Sequence, residues 1–78
     1  MIELIIVVAL AAIGLAVVAT AVSLVRVVIG AEVLTLSAIY AAAAYGDLNM
    51  LAVAASVGVV ETLMLVAMLF KMAKEGYV

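Results

Sequence analysis

The chain has 78 residues, of which 74% are hydrophobic and 10% are charged, and its mean hydropathy is +1.68. A monomer of this length cannot bury so much apolar surface, so the composition excludes a soluble monomeric domain. The absence of Cys and His excludes disulfides, thiolate metal sites, haem ligation and His-based catalysis. The three basic and five acidic side chains form no basic patch, so no nucleic-acid partner is expected.

Three apolar segments follow one another along the chain, and a membrane span needs about 20 such residues. The segments are 2–25, 27–45 and 49–72, followed by a short polar tail, 73–78. The first segment carries an acid, Glu3, where a signal peptide needs a basic region, so we expect no cleaved signal peptide. The sequence therefore predicts an all-α membrane protein, a single domain of three transmembrane helices with short connections.

The two predicted connections differ in strength. Gly46-Asp47-Leu48-Asn49 is the sole cluster of turn-forming residues, and the chain contains no Pro. The first connection rests on Arg26, which interrupts the hydrophobic run. A two-span hairpin with its turn at Gly46 is the alternative, but it would leave Arg26 inside a membrane helix. Three spans are the simpler interpretation.

The distribution of charge also favours three spans. Arg26, Lys71 and Lys74 would then lie on one side of the membrane, and Glu3 and Asp47 on the other. Because basic residues concentrate on the cytoplasmic side, we expect an N-out, C-in orientation.

Two glutamates, Glu32 and Glu61, lie inside segments that are otherwise almost wholly apolar. A carboxylate in the middle of a membrane span costs about 2.5–3.5 kcal/mol on an insertion scale, and such residues usually serve a function. The helical rise places Glu61 about 15 Å from the boundary at Lys71 and Glu32 about 9 Å from that at Arg26. The sequence therefore predicts a proton relay through Glu32 and Glu61.

Four further residues are candidates to support this site. Thr35, one turn after Glu32, can offer its hydroxyl on the same helix face, and Thr62 supplies a hydroxyl on the third helix. Gly58 removes side-chain volume beside Glu61, which allows close packing of helices. Arg26 is a candidate for the ion path or, alternatively, an anchor at the membrane edge. The small and hydroxyl residues have a purely structural interpretation as well, in which they only pack helices together.

Residues 12–38, AIGLAVVATAVSLVRVVIGAEVLTLSA, and the later run VVETLMLVAMLF carry a family pattern. They resemble subunit K of the proton-pumping NADH:quinone oxidoreductase (complex I) and the related C subunit of Mrp-type sodium/proton antiporters. The positions that match the family motif, without a gap, are Gly14, Leu15, Thr20, Leu24, Arg26, Ile29, Gly30, Glu32, Leu34 and Ala38. Ala21 and Val22 stand where the family usually carries a basic pair, and the segment between the second and third helices is shorter.

The resemblance implies a three-helix, ion-translocating subunit of a complex I-related complex, such as a prokaryotic energy-converting hydrogenase, in which Glu32 and Glu61 carry protons. It implies antiporter-like membrane subunits as partners and a prokaryotic cell membrane as the location. We expect no cofactor, no metal and no active site of its own, so any enzymatic role would be that of a non-catalytic subunit. Two carboxylates and a few hydroxyls favour H⁺ over Na⁺, whose full oxygen shell would need other chains.

Three other interpretations stay open at this stage. Glu61 also suits the rotor-ring proteolipid of an ATP synthase, although the first helix lacks a repeated G-x-G-x-G motif. A second possibility is another small antiporter-like subunit of the same complexes. The third is an assembly subunit whose two glutamates pair with Lys or Arg of partner chains and conduct nothing.

Overall fold

Three α-helices form the whole of the described structure, a computed structural model that describes residues 1–76. Helix α1 comprises Ile2–Ala19, α2 comprises Leu24–Tyr45 and α3 comprises Leu48–Lys74. All three are long and apolar enough to span a membrane. The predicted all-α, three-helix architecture is confirmed.

The first connection lies earlier than the sequence pattern suggested. Helix α1 ends at Ala19, where the Thr20 hydroxyl donates to the Ala16 carbonyl at 2.7 Å. Ser23 then caps α2, because its hydroxyl accepts the backbone N–H of Arg26 at 3.4 Å. The predicted segment 2–25 is therefore too long at its end, and Arg26 lies inside the first turn of α2. Hydropathy cannot locate this break, because the residues around it are apolar.

The second connection is where the turn formers predicted it, and it is very short. Gly46 and Asp47 alone separate α2 from α3, and the Asp47 carboxylate accepts the Met50 N–H at 2.8 Å as a helix cap. Helix α3 continues to Lys74, so the first two residues of the predicted tail are helical. Residues 77 and 78 of that tail lie outside the described residues.

The helices lie side by side in a single layer. Helix α2 packs against both α1 and α3, whereas α1 and α3 make no contact with each other within residues 1–76. The Cα atoms fill a slab of 44 × 25 × 10 Å, which is one helix thick. Both broad faces of the layer are therefore open, and the two seams beside α2 contain nearly all of the packing.

The layer exposes apolar surface almost everywhere. Its accessible surface is 5358 Å², compared with about 4,400 Å² for a soluble folded monomer of this mass. Within residues 1–76, Ala42 is the one larger-than-glycine apolar residue that is buried, and Ser37 is the one buried polar residue. Lipid or other membrane chains must cover the remaining apolar faces.

Helices α1 and α2 approach closely at two glycines that face each other. A Cβ atom on Gly30 would lie 2.9 Å from the Val18 amide nitrogen and 3.0 Å from the Gly14 carbonyl oxygen. Nearby, the buried Ser37 hydroxyl donates to the Val7 carbonyl at 2.9 Å. Close backbone approach at small residues is the main source of packing energy between helices in lipid. Gly14 and Gly30 therefore set the spacing of the first seam.

The antiparallel order of the helices separates the charges between the two ends of the layer. Val25, near the start of α2, and Phe70 and Ala73, near the end of α3, line one shared groove. Arg26 therefore lies at the same end as Lys71 and Lys74. Glu3 and the Asp47 connection lie at the opposite end, because α1 and α3 both run against α2.

Replacing Gly30 with Ala should push α1 away from α2, because the new methyl group would meet backbone atoms of α1 that cannot rotate aside. The chain has no Cys, so cysteines introduced at the exposed residues Leu15 and Ile29 can carry the only two spin labels. Their separation, measured by pulsed electron paramagnetic resonance in bilayers, should increase or broaden in Gly30→Ala. The exposed-site variant Ala43→Leu should leave it unchanged. An unaltered distance in Gly30→Ala would refute this packing.

Candidate functional site

Gly58 marks the line along which α2 and α3 meet. A Cβ atom at this position would lie 3.1 Å from Cγ2 of Thr35 and 3.3 Å from Cδ1 of Ile39. The missing side chain therefore leaves space for two α2 side chains to enter the seam. Glu61 and Thr62 follow Gly58 by three and four residues, so they flank this line on its two sides. Both glutamates lie at this seam.

Glu61 forms a hydrogen bond across the seam with Thr35. The Thr35 hydroxyl lies 2.7 Å from Oε1 of Glu61 and 3.1 Å from the Ala31 carbonyl of its own helix. The sequence pattern placed Thr35 beside Glu32, one turn away on α2. The structure instead directs its hydroxyl to the glutamate of the neighbouring helix.

Glu32 forms the reciprocal pair with Thr62. The Thr62 hydroxyl lies 2.8 Å from Oε2 of Glu32 and 2.8 Å from the Gly58 carbonyl of its own helix. Each carboxyl group is thus bound by the threonine of the opposite helix. A threonine or serine in a membrane helix can bond its hydroxyl to a carbonyl of its own helix, as Thr20 and Ser56 do. Thr35 and Thr62 differ from them because each also has a carboxyl oxygen of the other helix within reach.

The two pairs lie on opposite sides of the seam and are offset along it. Because Thr35 meets Glu61 and Glu32 meets Thr62, the pairs are three residues apart along α2, or about 4.5 Å. The depths expected from the sequence differed by a similar amount, about 6 Å. The successive residues Glu61 and Thr62 differ by about 100° in direction around α3. The two pairs therefore lie on different sides of the line marked by Gly58.

The surroundings of the two carboxyl groups differ, although both side chains are half-buried. Within residues 1–76, Oε1 of Glu32 is the one buried side-chain oxygen without a hydrogen-bond partner. Glu61 instead lines an open groove of about 430 Å³ on one flank of α3. The other lining residues are mostly apolar: Ser56, Val57, Val60, Met64, Leu65 and Met68. One carboxyl group is enclosed, and the other borders a space that another molecule can enter.

The remaining predicted residue, Arg26, does not join the site. It is exposed in the first turn of α2, six residues before Glu32. Within the described chain, the one ion pair joins the Met1 amino group to Glu3, so neither Glu32 nor Glu61 is paired with a basic side chain. Residues 1–76 also contain no group of three acidic side chains that could hold a metal ion.

The site also includes two backbone groups, which the sequence did not reveal. The carbonyls of Ala31 and Gly58 are the second acceptors for the Thr35 and Thr62 hydroxyls. Each lies four residues before its threonine, as helical geometry requires. That spacing was visible in the sequence, but the register of α2 against α3, which adds a glutamate to each threonine, was not.

Comparison of the chain with known protein families, curated proteins and solved structures finds no match.

Thr62→Val should destabilise the α2–α3 seam, because valine keeps the shape of threonine but leaves Glu32 without its hydroxyl partner. Hydrogen bonds between membrane helices contribute about 0.6 kcal/mol on average and about 1.7 kcal/mol at most, so the free energy of unfolding should fall by that range. Reversible denaturation of the purified chain in mixed micelles measures the change. Ser56→Ala is the matched control, since the Ser56 hydroxyl binds only the Ala52 carbonyl of its own helix. Equal effects of the two variants would show that the Thr62–Glu32 contact contributes nothing.

Proposed function

We propose that this chain is a proton-translocating membrane subunit in which Glu32 and Glu61 carry protons within the bilayer. The observation that carries the proposal is the pair of glutamates at one helix seam, each bound to a hydroxyl rather than to a cation. A carboxyl group held by a Lys or Arg would be locked in its charged form. A carboxyl group held by a hydroxyl keeps a partner whether it is charged or neutral, since a hydroxyl both donates and accepts.

The proposal includes partner subunits, because the layer cannot enclose a proton path alone. Ion paths in membranes require polar groups buried in protein or lining a water-filled cavity. Both faces of this layer are open, and Glu61 borders one of them. The family resemblance suggests antiporter-like subunits of a complex I-related complex, such as an energy-converting hydrogenase, as the chains that cover these faces. The redox chemistry and its cofactors would belong to other subunits.

The proposed orientation is supported by the charges at the two ends of the layer. Arg26, Lys71 and Lys74 lie at one end, and the positive-inside rule assigns that end to the cytoplasm. The proposed topology is N-out and C-in in the cell membrane of a prokaryote. In this topology the proposed conduction step lies close to the level of Gly58, within the hydrocarbon core.

Protons suit the site better than sodium ions. Sodium, like other hard cations, is bound by a shell of several oxygen ligands. At this seam each carboxyl group has one hydroxyl partner, and residues 1–76 bring no third acidic group to it. A single proton exchanged between a carboxyl group and a neighbouring oxygen needs no such shell.

Glu61→Gln should preserve assembly, because glutamine is nearly isosteric and its amide oxygen can still accept the Thr35 hydroxyl. Proton translocation driven by the redox reaction should nevertheless fall by about 10²-fold at this step, the size of effect that a positioned acid–base group has on proton transfer. The measurement is proton uptake by vesicles containing the complex, purified through a tag on this chain. Glu32→Gln should cause a smaller loss.

The same preparation provides the control and identifies the partners. Thr20→Val, which removes an exposed hydroxyl bound only to the Ala16 carbonyl of its own helix, should translocate protons at the wild-type rate. Copurification of antiporter-like subunits with iron–sulfur or nickel–iron proteins is the expected composition. Recovery of a homo-oligomeric ring or of rotary ATPase subunits would refute the proposed complex. Wild-type translocation by Glu61→Gln would refute the proposed relay.

A further inference from the structure

The Thr35 and Thr62 hydroxyls each have one proton and two acceptors within hydrogen-bonding distance. Thr62 lies 2.8 Å both from Oε2 of Glu32 and from the Gly58 carbonyl. It can donate to only one of them at a time. When the glutamate is charged, the hydroxyl donates to the carboxylate. When the glutamate is neutral, its own O–H can donate to the threonine oxygen, and the threonine then donates to its backbone carbonyl. The geometry accepts both states without moving a heavy atom.

For Glu32 the second carboxyl oxygen is enclosed. Oε1 is buried and has no hydrogen-bond partner. A charged carboxylate places negative charge on both oxygens, and a charge buried without a donor is far more costly than a neutral polar atom in the same position. The neutral acid avoids this cost, because its Oε2–H donates to Thr62 and only an uncharged carbonyl oxygen remains unpaired. Within the described residues, Glu32 is therefore linked to other groups only through the Thr62 hydroxyl.

For Glu61 the open groove permits access to the carboxyl group. Its Oε1 is bound by Thr35, and the side chain lines the groove with Val57, Met64 and Met68. The groove is open and mostly apolar, so a side chain of a partner subunit or an apolar reagent can reach the carboxyl group from it. As the proton leaves, the Thr35 hydroxyl turns from the Ala31 carbonyl to Oε1, so the carboxylate gains a donor. The Ala31 carbonyl remains within the backbone hydrogen bonding of α2.

We infer that the two glutamates differ in access: Glu61 gives up and takes its proton at the open groove on α3, whereas Glu32, enclosed at Oε1, is reached only through the Thr62 hydroxyl. The inference rests on the proposed proton-translocating function and divides it between the two carboxyl groups. Thr35 and Thr62 are positioning residues in this scheme, since each acts through the glutamate that it binds.

An apolar carbodiimide tests the difference in access. Such a reagent dissolves in lipid, takes a proton from a neutral carboxylic acid and forms an acylisourea with it, which rearranges to a stable acylurea. The full chain, in the membranes in which it is assembled, is treated with the reagent, and peptide mass spectrometry locates the adduct. We expect the adduct on Glu61, its loss in Glu61→Gln and its persistence in Glu32→Gln. Thr62→Ser, which keeps the hydroxyl, and Thr62→Val, which keeps the shape of the side chain, should both leave the adduct on Glu61.

The possible results separate this inference from the proposed function. Adduct on Glu32 at a level equal to or above that on Glu61, or on neither residue, would overturn the assignment of access. Proton translocation would still support the relay in that case if Glu61→Gln abolished it. Adduct confined to Glu61 in a complex whose Glu61→Gln variant translocates protons normally would support the assignment of access while refuting the relay.

Discussion

The site depends on two reciprocal hydrogen bonds across one helix seam. In each of them a threonine of one helix binds the glutamate of the other. The hydrocarbon core of a membrane offers no water, so a polar group there must find its partners within the protein. Helices α2 and α3 each carry one carboxyl group and one hydroxyl at this seam, and the hydroxyl of each helix binds the carboxyl group of the other. Because Gly58 has no side chain, the two helices come close enough to form these hydrogen bonds.

The single-layer arrangement leaves this seam uncovered by the third helix. In a compact bundle a third helix would cover one side of the seam, but here α1 contacts only α2. The close approach of Gly14 and Gly30 and the bond from Ser37 to Val7 hold α1 on the far side of α2. Both flanks of the α2–α3 seam are thereby left to lipid or to partner subunits. The flat layer thus leaves room for the partner subunits that the proposed proton relay requires.

Much of this architecture could be predicted from the sequence, because whether a helix can span a bilayer depends mainly on its composition and its length. Three runs of apolar residues predict three helices, and the two carboxylates within them mark Glu32 and Glu61 as candidate site residues. The Gly46-Asp47 connection was also visible, since Asp is a strong helix cap. The break at 20–23 was not, because it occurs within apolar sequence and depends on the Ser23 cap.

The partners of the carboxyl groups could not be predicted, because they depend on how two helices are aligned. Spacing within α2 placed Thr35 next to Glu32, and only the register between α2 and α3 directs its hydroxyl to Glu61. The same register leaves Oε1 of Glu32 enclosed without a partner and Glu61 beside a groove. No local pattern encodes such a difference, since both residues are single acids in apolar segments of similar composition.

Infrared difference spectroscopy of the assembled complex during turnover tests the central claim most directly. The carbonyl stretch of a protonated carboxylic acid is separate from the bands of carboxylates, and it shifts when the acid exchanges hydrogen for deuterium. If Glu61 carries protons, this band should disappear and return with each redox cycle, and Glu61→Gln should remove it from the difference spectrum. A spectrum without a carboxylic acid band, or with one that Glu61→Gln leaves intact, would contradict a proton-carrying role for this residue.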